Sequence, residues 1–102
     1  MKNIFITGIG TDVGKTIISA IITEHLKADY WKPVQSGELD NTDTDKVKRL
    51  VSNSKTVFHE ETFKLLQPLS PHASAEIDGV KIQLEDFKLP VTNNHFVIKG
   101  DH

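Results

Sequence analysis

Short apolar runs alternate with polar, glycine-containing segments along this chain, and near its start the spacing of the apolar residues changes. Residues 4–7 form a β-branched run that stops at Gly8, which predicts a strand buried on both faces, as in a parallel sheet. After Lys15 the spacing becomes helical, which predicts a helix held by burial of an apolar stripe composed of Ile17, Ile18, Ile21, Ile22 and Leu26. Residues 29–34 predict a second strand, so the chain opens with a βαβ unit.

Weaker signals follow this unit. Thr44 is the predicted cap of a helix whose apolar face consists of Val47, Leu50 and Val51. Short strands are predicted at residues 56–58 and 95–98, and short helices at 70–75 and 84–87. Strands that alternate with helices in this way predict an α/β domain, in which a mainly parallel sheet is flanked by helices in three layers.

The length and the composition predict one small domain, which spans residues 1–102. Hydrophobic residues make up 37% of the chain, and 12 basic against 14 acidic side chains give a net charge of −2. This charge provides no long-range field that would gather nucleic acid or an anionic membrane surface. The chain has no cysteine for a disulfide or a thiolate zinc site, and no apolar run long enough for a membrane span. We therefore expect a soluble, cytoplasmic protein that binds neither nucleic acid nor membrane.

A glycine-rich segment at residues 8–16, with the sequence GIGTDVGKT, lies between the first predicted strand and the first predicted helix. Glycines let the backbone turn so that its N–H groups face phosphate oxygens, and the helix N-terminus adds donors and the positive end of its dipole. Lys15 can then reach the β- and γ-phosphates, and the Thr16 hydroxyl can ligate Mg²⁺. This order predicts a phosphate-binding loop. An incidental glycine-rich turn and a dinucleotide-binding loop are weaker interpretations, the latter because position 13 is not glycine.

Three motifs together resemble the dethiobiotin synthetase family of P-loop enzymes. They are Gly8-x-x-Thr11-x-x-Gly14-Lys15-Thr16, the segment WKPVQSG at residues 31–37, and Ser70-Pro71-His72. The family has one extra residue in its phosphate loop, which matches the wide spacing here between Gly8 and Gly14. The resemblance covers residues 1–98, about the N-terminal half of the family's length. It implies a P-loop NTPase-like α/β fold that is incomplete in this chain.

The resemblance also implies an ATP-dependent ring closure carried out by a homodimer. 7,8-Diaminononanoate takes up CO₂ as a carbamate, ATP phosphorylates the carbamate, and the neighbouring amine closes the ureido ring of dethiobiotin. The implied catalytic residues are Lys32 and Lys15, and Ser36 is the implied substrate contact. The implied Mg²⁺ ligands are Thr16 and Asp45, with Asp43 as the second choice. The implied ATP contacts are Asp12, Val13, Gly14, Lys15, Thr16, Ile17 and Asp45.

Lys99 departs from the family's pattern, in which a glutamate that completes the Mg²⁺ site follows the last of these strands. A lysine ammonium has three donors and no acceptor, so Lys99 cannot ligate the ion. We therefore expect the 102-residue chain alone to be inactive. Two residues also have simpler interpretations, because Asp45 is suited to helix capping and Lys32 to a solvated strand end. A second function stays open: a nucleotide-binding module without catalysis, related to partitioning and metal-insertion ATPases. The WKPVQSG segment favours the ligase.

Overall fold

The computed structural model describes residues 2–7, 12–66, 79 and 88–100. Its eight elements are, in chain order, β1 (Asn3–Ile6), α1 (Asp12–Leu26), β2 (Asp29–Trp31), β3 (Val34–Ser36), α2 (Asp43–Leu50), β4 (Phe58–His59), β5 (Phe63–Leu65) and β6 (Phe96–Lys99). The short helices predicted at 70–75 and 84–87 lie outside the described residues. No helix in the described ranges is both long and apolar enough to cross a membrane.

Four strands form one parallel sheet in the order β1-β6-β2-β4. The inner strand β6 pairs with β1 on one side and with β2 on the other, so the three strands at the predicted apolar runs are neighbours in the sheet. A second, two-stranded parallel sheet pairs β3 with β5, a strand that the sequence did not predict. The predicted α/β class, a parallel sheet with flanking helices, is confirmed.

The predicted strand at residues 29–34 is instead two strands that belong to different sheets. Pro33 lies between them. Proline has no N–H to donate to a ladder and restricts the residue before it, so β2 cannot continue through this position. The Pro33 carbonyl accepts hydrogen bonds from the N–H groups of Thr62 at 2.7 Å and Phe63 at 3.0 Å, which brings β5 alongside β3.

Helix α1 forms where the periodicity predicts it, but most of the isoleucine stripe is not buried. Ile17, Ile18 and Ile21 are 47%, 51% and 61% exposed, while Ile22 and Leu26 pack at the edge of the core. The buried face of α1 consists of Lys15, Thr16, Ser19, Ala20 and Thr23. Small side chains let a helix approach a sheet closely, so the helix face that meets the sheet is the one that carries mostly small side chains.

Both described helices cover the same face of the sheet. One core cluster joins them to the strands and contains Ala20, Ala28, Tyr30, Val47 and Val97. Trp31, Phe96 and Ile98 form a separate buried cluster, and the rings of Trp31 and Phe96 are stacked at 6.1 Å. Successive side chains of a strand point to opposite faces, so these residues lie on the other face. The third layer of the predicted α/β/α arrangement stays a prediction.

The N-cap of helix α2 lies two residues before the predicted cap. Thr42, and not Thr44, is the N-cap: its hydroxyl accepts the N–H of Asp45 at 3.1 Å, and the Asp45 carboxylate accepts the N–H of Thr42 at 3.0 Å. This reciprocal pair is a capping box, which satisfies two donors that the first turn of a helix leaves without intrahelical partners. The cap fixes where α2 starts and therefore where Asp43 lies.

At the amino end of β2, the Asp29 carboxylate joins three segments of the chain. It accepts hydrogen bonds from the Thr92 hydroxyl at 2.7 Å, from the Asn94 amide at 3.2 Å and from the Val57 N–H at 3.3 Å, and His59 Nε2 lies 3.0 Å away. Burial raises the pKa of Asp29, but these hydrogen bonds outweigh it and hold the pKa below its usual value.

Candidate functional site

The candidate site lies at the carboxyl edge of the larger sheet. In a parallel sheet the carboxyl ends of all strands meet at one edge, which is where open α/β sheets bind their ligands. Lys32 directly follows β2, and Lys99 is the last residue of its neighbour β6. The chain leaves β1 at this same edge and returns as α1, which starts at Asp12.

The predicted phosphate loop is described only in part. Residues 8–11 lie outside the described residues, as do Ser70, Pro71 and His72, and the side chains of Asp12 and Val13 are not described. Gly14 lies in the first turn of α1. Lys15 and Thr16 follow it, and both are buried, with exposures of 8% and 5%. Ile17 points away from the sheet and is exposed.

Two lysines converge on one carboxylate. Lys32 Nζ lies 2.5 Å from Asp43 Oδ2, and Lys99 Nζ lies 2.7 Å from the same oxygen. All three residues are buried, with exposures of 2% for Lys32, 4% for Asp43 and 0% for Lys99. We call these three residues the Lys–Asp–Lys cluster. A third ammonium, that of Lys46, is partly exposed and lies 3.9 Å from the other Asp43 oxygen.

The surroundings of Asp43 keep its carboxylate ionised. Burial raises the pKa of Asp43, but the hydrogen bonds and charges of Lys32 and Lys99 outweigh that effect and hold the pKa below its usual value. Gln35 fixes the backbone at this point, because its side-chain oxygen accepts the Asp43 N–H at 3.2 Å. The amide nitrogen of Gln35 donates in turn to the Gly37 carbonyl at 2.9 Å, so the turn after β3 holds the start of α2.

Asp45, the first choice for a metal ligand, is not part of this cluster. Its carboxylate belongs to the capping box with Thr42, and the hydrogen bond from the Thr42 backbone lowers its pKa. Asp43, the second choice, is the acid that meets Lys32. The sequence had left capping open as an alternative for Asp45, and the capping geometry is what the structure contains.

Four buried hydroxyl groups have no hydrogen-bond partner among the described residues. They are Ser36 Oγ on β3, Thr44 Oγ1 in the first turn of α2, Thr23 Oγ1 on α1 and the Tyr30 hydroxyl on β2. Burial, and secondarily the charge of Asp43, raises the pKa of Tyr30, so its hydroxyl stays neutral. Buried polar groups are normally paired, so these hydroxyls have hydrogen-bonding capacity that the described residues do not use.

The sequence missed the connection between Asp43 and Lys99, although it singled out both residues. They are far apart in the chain and meet because β6 lies between β1 and β2. Tyr30 was interpreted as core packing, and its ring is buried in the core cluster as expected. The signal that could have found the cluster is charge: a lysine at the carboxyl end of a buried parallel strand requires an acidic partner.

A parallel sheet, a glycine-rich connection after its first strand and a buried Lys-Thr at the start of the next helix together define a P-loop type of nucleotide-binding domain. Comparison with protein families agrees, because the family model described as "AAA domain" matches residues 2–102. The chain belongs to that family.

Individual relatives carry a more specific name than the family model does. The chain is 58% identical over 99 residues to a protein of Christiangramia forsetii named ATP-dependent dethiobiotin synthetase BioD, which covers 97% of this chain and 48% of the relative. Proteins with the same name in Cytophaga hutchinsonii and Chlamydia felis are 48% and 45% identical, covering 98% and 95% of this chain and 48% and 45% of their own lengths. The resemblance stated from the motifs is thereby confirmed. The chain spans about half the length of these curated relatives.

Proposed function

We propose that the protein that carries this chain is an ATP-dependent dethiobiotin synthetase, and that this chain supplies its phosphate loop and its active-site lysine. The observation that carries the proposal is the position of Lys32. It lies in the WKPVQSG segment, follows a strand at the ligand-binding edge of the sheet, and is held by Asp43. The names of relatives at 45–58% identity favour this ligase over a nucleotide-binding module without catalysis.

The proposed reaction builds up negative charge, which the described residues are suited to stabilise. CO₂ adds to an amine of 7,8-diaminononanoate to give a carbamate, ATP transfers its γ-phosphoryl group to it, and the second amine closes the ring with release of phosphate. Fixed cations and helix N-termini stabilise such charge most effectively when they are preorganised. The bond to Asp43 preorganises the Lys32 ammonium, which we assign to the carbamate and the transferring phosphoryl group.

The remaining residues divide between ATP and the second substrate. We assign the triphosphate to the first turn of α1, with Lys15 bridging phosphate and carbamate, and Asp12, Val13, Gly14, Thr16 and Ile17 as the other ATP contacts. Ser36 is assigned to the diamine substrate, and its buried hydroxyl, which has no partner among the described residues, supports that role. Asp45, predicted as an ATP contact, is engaged in the capping box, so we leave it out of this set.

Magnesium is the part of the predicted cofactor set that these residues fit least well. Mg²⁺ prefers a near-octahedral shell of oxygen ligands. Asp43 Oδ2 already accepts two ammonium groups, and Lys99 stands where the family's third ligand is expected. Within the described residues there is no group of three His, Cys, Asp or Glu side chains that could hold a metal ion. We therefore assign no step to a protein-bound Mg²⁺.

The direct test is product formation. The purified protein is incubated with 7,8-diaminononanoate, bicarbonate and ATP, and dethiobiotin is measured by mass spectrometry. Lys15→Ala should lower turnover at least about a hundredfold, the effect of removing one transition-state donor, while Lys55→Ala, at an exposed lysine in a loop, serves as the matched control. ATP binding without dethiobiotin formation would favour the non-catalytic module, and unchanged turnover in Lys15→Ala would contradict the phosphate loop.

We further propose that the protein is a homodimer of the cytoplasm. The exposed apolar side chains of α1 and of Leu50 support a covered face: Ile17, Ile21 and Leu50 line one groove and are each about half exposed or more. Analytical ultracentrifugation at micromolar concentration should give a dimer, and Ile21→Lys should shift it towards monomer. A wild type that sediments as a monomer would contradict the proposal.

A further inference from the structure

Lys99 is a buried cation at the point where the resemblance implies a metal ion. Its side chain is completely buried, and its ammonium donates to Asp43 Oδ2 at 2.7 Å. Val97 and Lys99 project from the same face of β6, so this lysine lies on the helix-covered side of the sheet, as does Lys32 after β2. Its position is set by the register of a central strand and not by a loop.

The chemistry of the cluster does not suit a divalent cation. Asp43 Oδ2 accepts hydrogen bonds from two ammonium groups, which match the two acceptor lone pairs of that oxygen. Lysine has no acceptor with which to ligate a metal ion, and its charge repels a divalent cation nearby. A carboxylate that is already paired with two cations has little attraction left for a third.

We propose that the Lys99 ammonium takes the electrostatic place of the divalent cation beside Asp43, so that this site binds the free triphosphate without requiring Mg²⁺. Lys99 is then a positioning residue: it balances the charge of Asp43, which leaves the charge of Lys32 in excess, and it needs no contact with the phosphates to do so. The inference rests on the proposed function to the extent that ATP is the ligand.

The physical reason is the charge that an incoming triphosphate meets. With Lys99 present, the three residues of the cluster carry one negative and two positive charges, which favours an anion. Without Lys99, the cluster would be neutral and would add nothing to the attraction that Lys15 and the N-terminus of α1 exert on the phosphates, so a metal ion that arrives with ATP would have to supply the difference. The Mg²⁺ dependence of ATP affinity therefore reports on Lys99 more directly than the rate of reaction does.

The experiment is isothermal titration calorimetry of the protein with ATP, once in excess Mg²⁺ and once in EDTA at matched ionic strength. For the wild type we expect the two dissociation constants to agree within about threefold. Lys99→Met should lower the affinity measured in EDTA at least about tenfold. Lys99→Glu should bind ATP only with Mg²⁺. Lys46→Met is the matched control, because Lys46 also faces Asp43 but at 3.9 Å, and it should keep the wild-type pattern.

The possible contrary results separate an error in this inference from an error in the proposed function. Wild-type affinity that falls at least about tenfold in EDTA would overturn the inference and leave the proposed function intact. ATP binding in neither condition would overturn the proposed function itself. A titration with MgCl₂ alone gives an independent arm: saturable Mg²⁺ binding to the nucleotide-free wild type would overturn the inference. Circular dichroism melts establish that each variant folds, and if Lys99→Glu does not, Lys99→Met carries the comparison.

Discussion

Replacing Asp43 by asparagine should destabilise the protein more than any other single carboxylate change at this edge of the sheet. Asparagine keeps the shape of the side chain but removes the charge that pairs Lys32 and Lys99. Both lysines are within hydrogen-bond distance of one Asp43 oxygen, so their nitrogens are about 5 Å apart at most. The substitution therefore leaves two buried ammonium groups next to each other without the Asp43 charge between them.

Two estimates give the size of the effect. Repulsion between two unit charges about 5 Å apart, at an effective dielectric constant of about 20, is about 3 kcal/mol. Removing one partner of a buried ion pair costs about 3–5 kcal/mol in measured cases. We expect Asp43→Asn to lower the free energy of unfolding by about 3 kcal/mol at pH 7. Adding Lys99→Met to this variant removes the repulsion and should recover about half of the loss.

The pH dependence of this difference has a defined sign. Burial raises the pKa of Asp43, but Lys32 and Lys99 hold it below its usual value, so the folded pKa lies below the unfolded one. The stabilisation is fully present above the unfolded pKa of about 3.9 and is lost as the pH falls through the folded pKa. The gap between the wild type and Asp43→Asn should therefore be widest near neutral pH and close in acid.

Urea denaturation followed by circular dichroism measures this gap across the pH range. Asp40→Asn is the matched control, because Asp40 is an exposed acid in the same acidic loop, and it should change stability by less than about 0.5 kcal/mol. An Asp43→Asn effect below about 1 kcal/mol at neutral pH would refute the reasoning, since it would mean that the lysines do not depend on this carboxylate. A gap that stays constant into the acid range would refute it as well.

Three further variants test other parts of the fold and site. Thr42→Ala should lower the free energy of unfolding by about 1 kcal/mol in urea, because the Asp45 N–H loses its capping acceptor; an unchanged midpoint would contradict the cap. Lys32→Gln should lower the single-turnover rate far more than it weakens ATP binding, and Lys32→Arg should not restore the rate fully; the opposite split would make Lys32 a nucleotide contact. Asp29→Asn should cost about 2 kcal/mol at neutral pH and less in acid, because the pKa of Asp29 is held low, and a pH-independent loss would contradict this.

The parts of the fold that local pattern determines were predicted well. The strands β1, β2 and β6 appear within one or two residues of the apolar runs that predicted them, except where Pro33 divides the second run. A strand buried on both faces needs an uninterrupted apolar sequence, so the signal lies in a few consecutive residues. The strand β5 has no such run, and it forms because the Pro33 carbonyl holds the chain there.

The buried face of α1 shows what periodicity leaves undetermined. A helical repeat of isoleucines predicts a helix, and α1 confirms that prediction, but the repeat does not say which neighbour covers the isoleucines. The described strands pack against the small side chains Ser19, Ala20 and Thr23 instead. Which face meets the sheet depends on how closely the helix approaches, and that distance is a property of the packed fold.

For a related reason, the sequence could not show which of Asp43 and Asp45 takes part in the helix cap and which one meets the lysines. Both are acids at the start of the same helix, where a negative charge is favoured by the helix dipole. Asp45 takes part in the helix cap, because the capping box with Thr42 turns its carboxylate back towards the helix end. The Asp43 carboxylate instead accepts a hydrogen bond from Lys99, and these two residues meet only after the sheet has formed.

The Asp43 carboxylate should therefore stay ionised over the pH range in which ATP itself changes charge. Asp43 lies in the first turn of α2, at the positive end of the helix dipole, and two ammonium groups donate to it. Burial raises the pKa of Asp43, but the hydrogen bonds and charges of Lys32 and Lys99 outweigh it and hold the pKa below its usual value. The carboxylate thus stays negative at neutral pH. A change of ATP affinity near neutral pH would therefore not arise from protonation of Asp43.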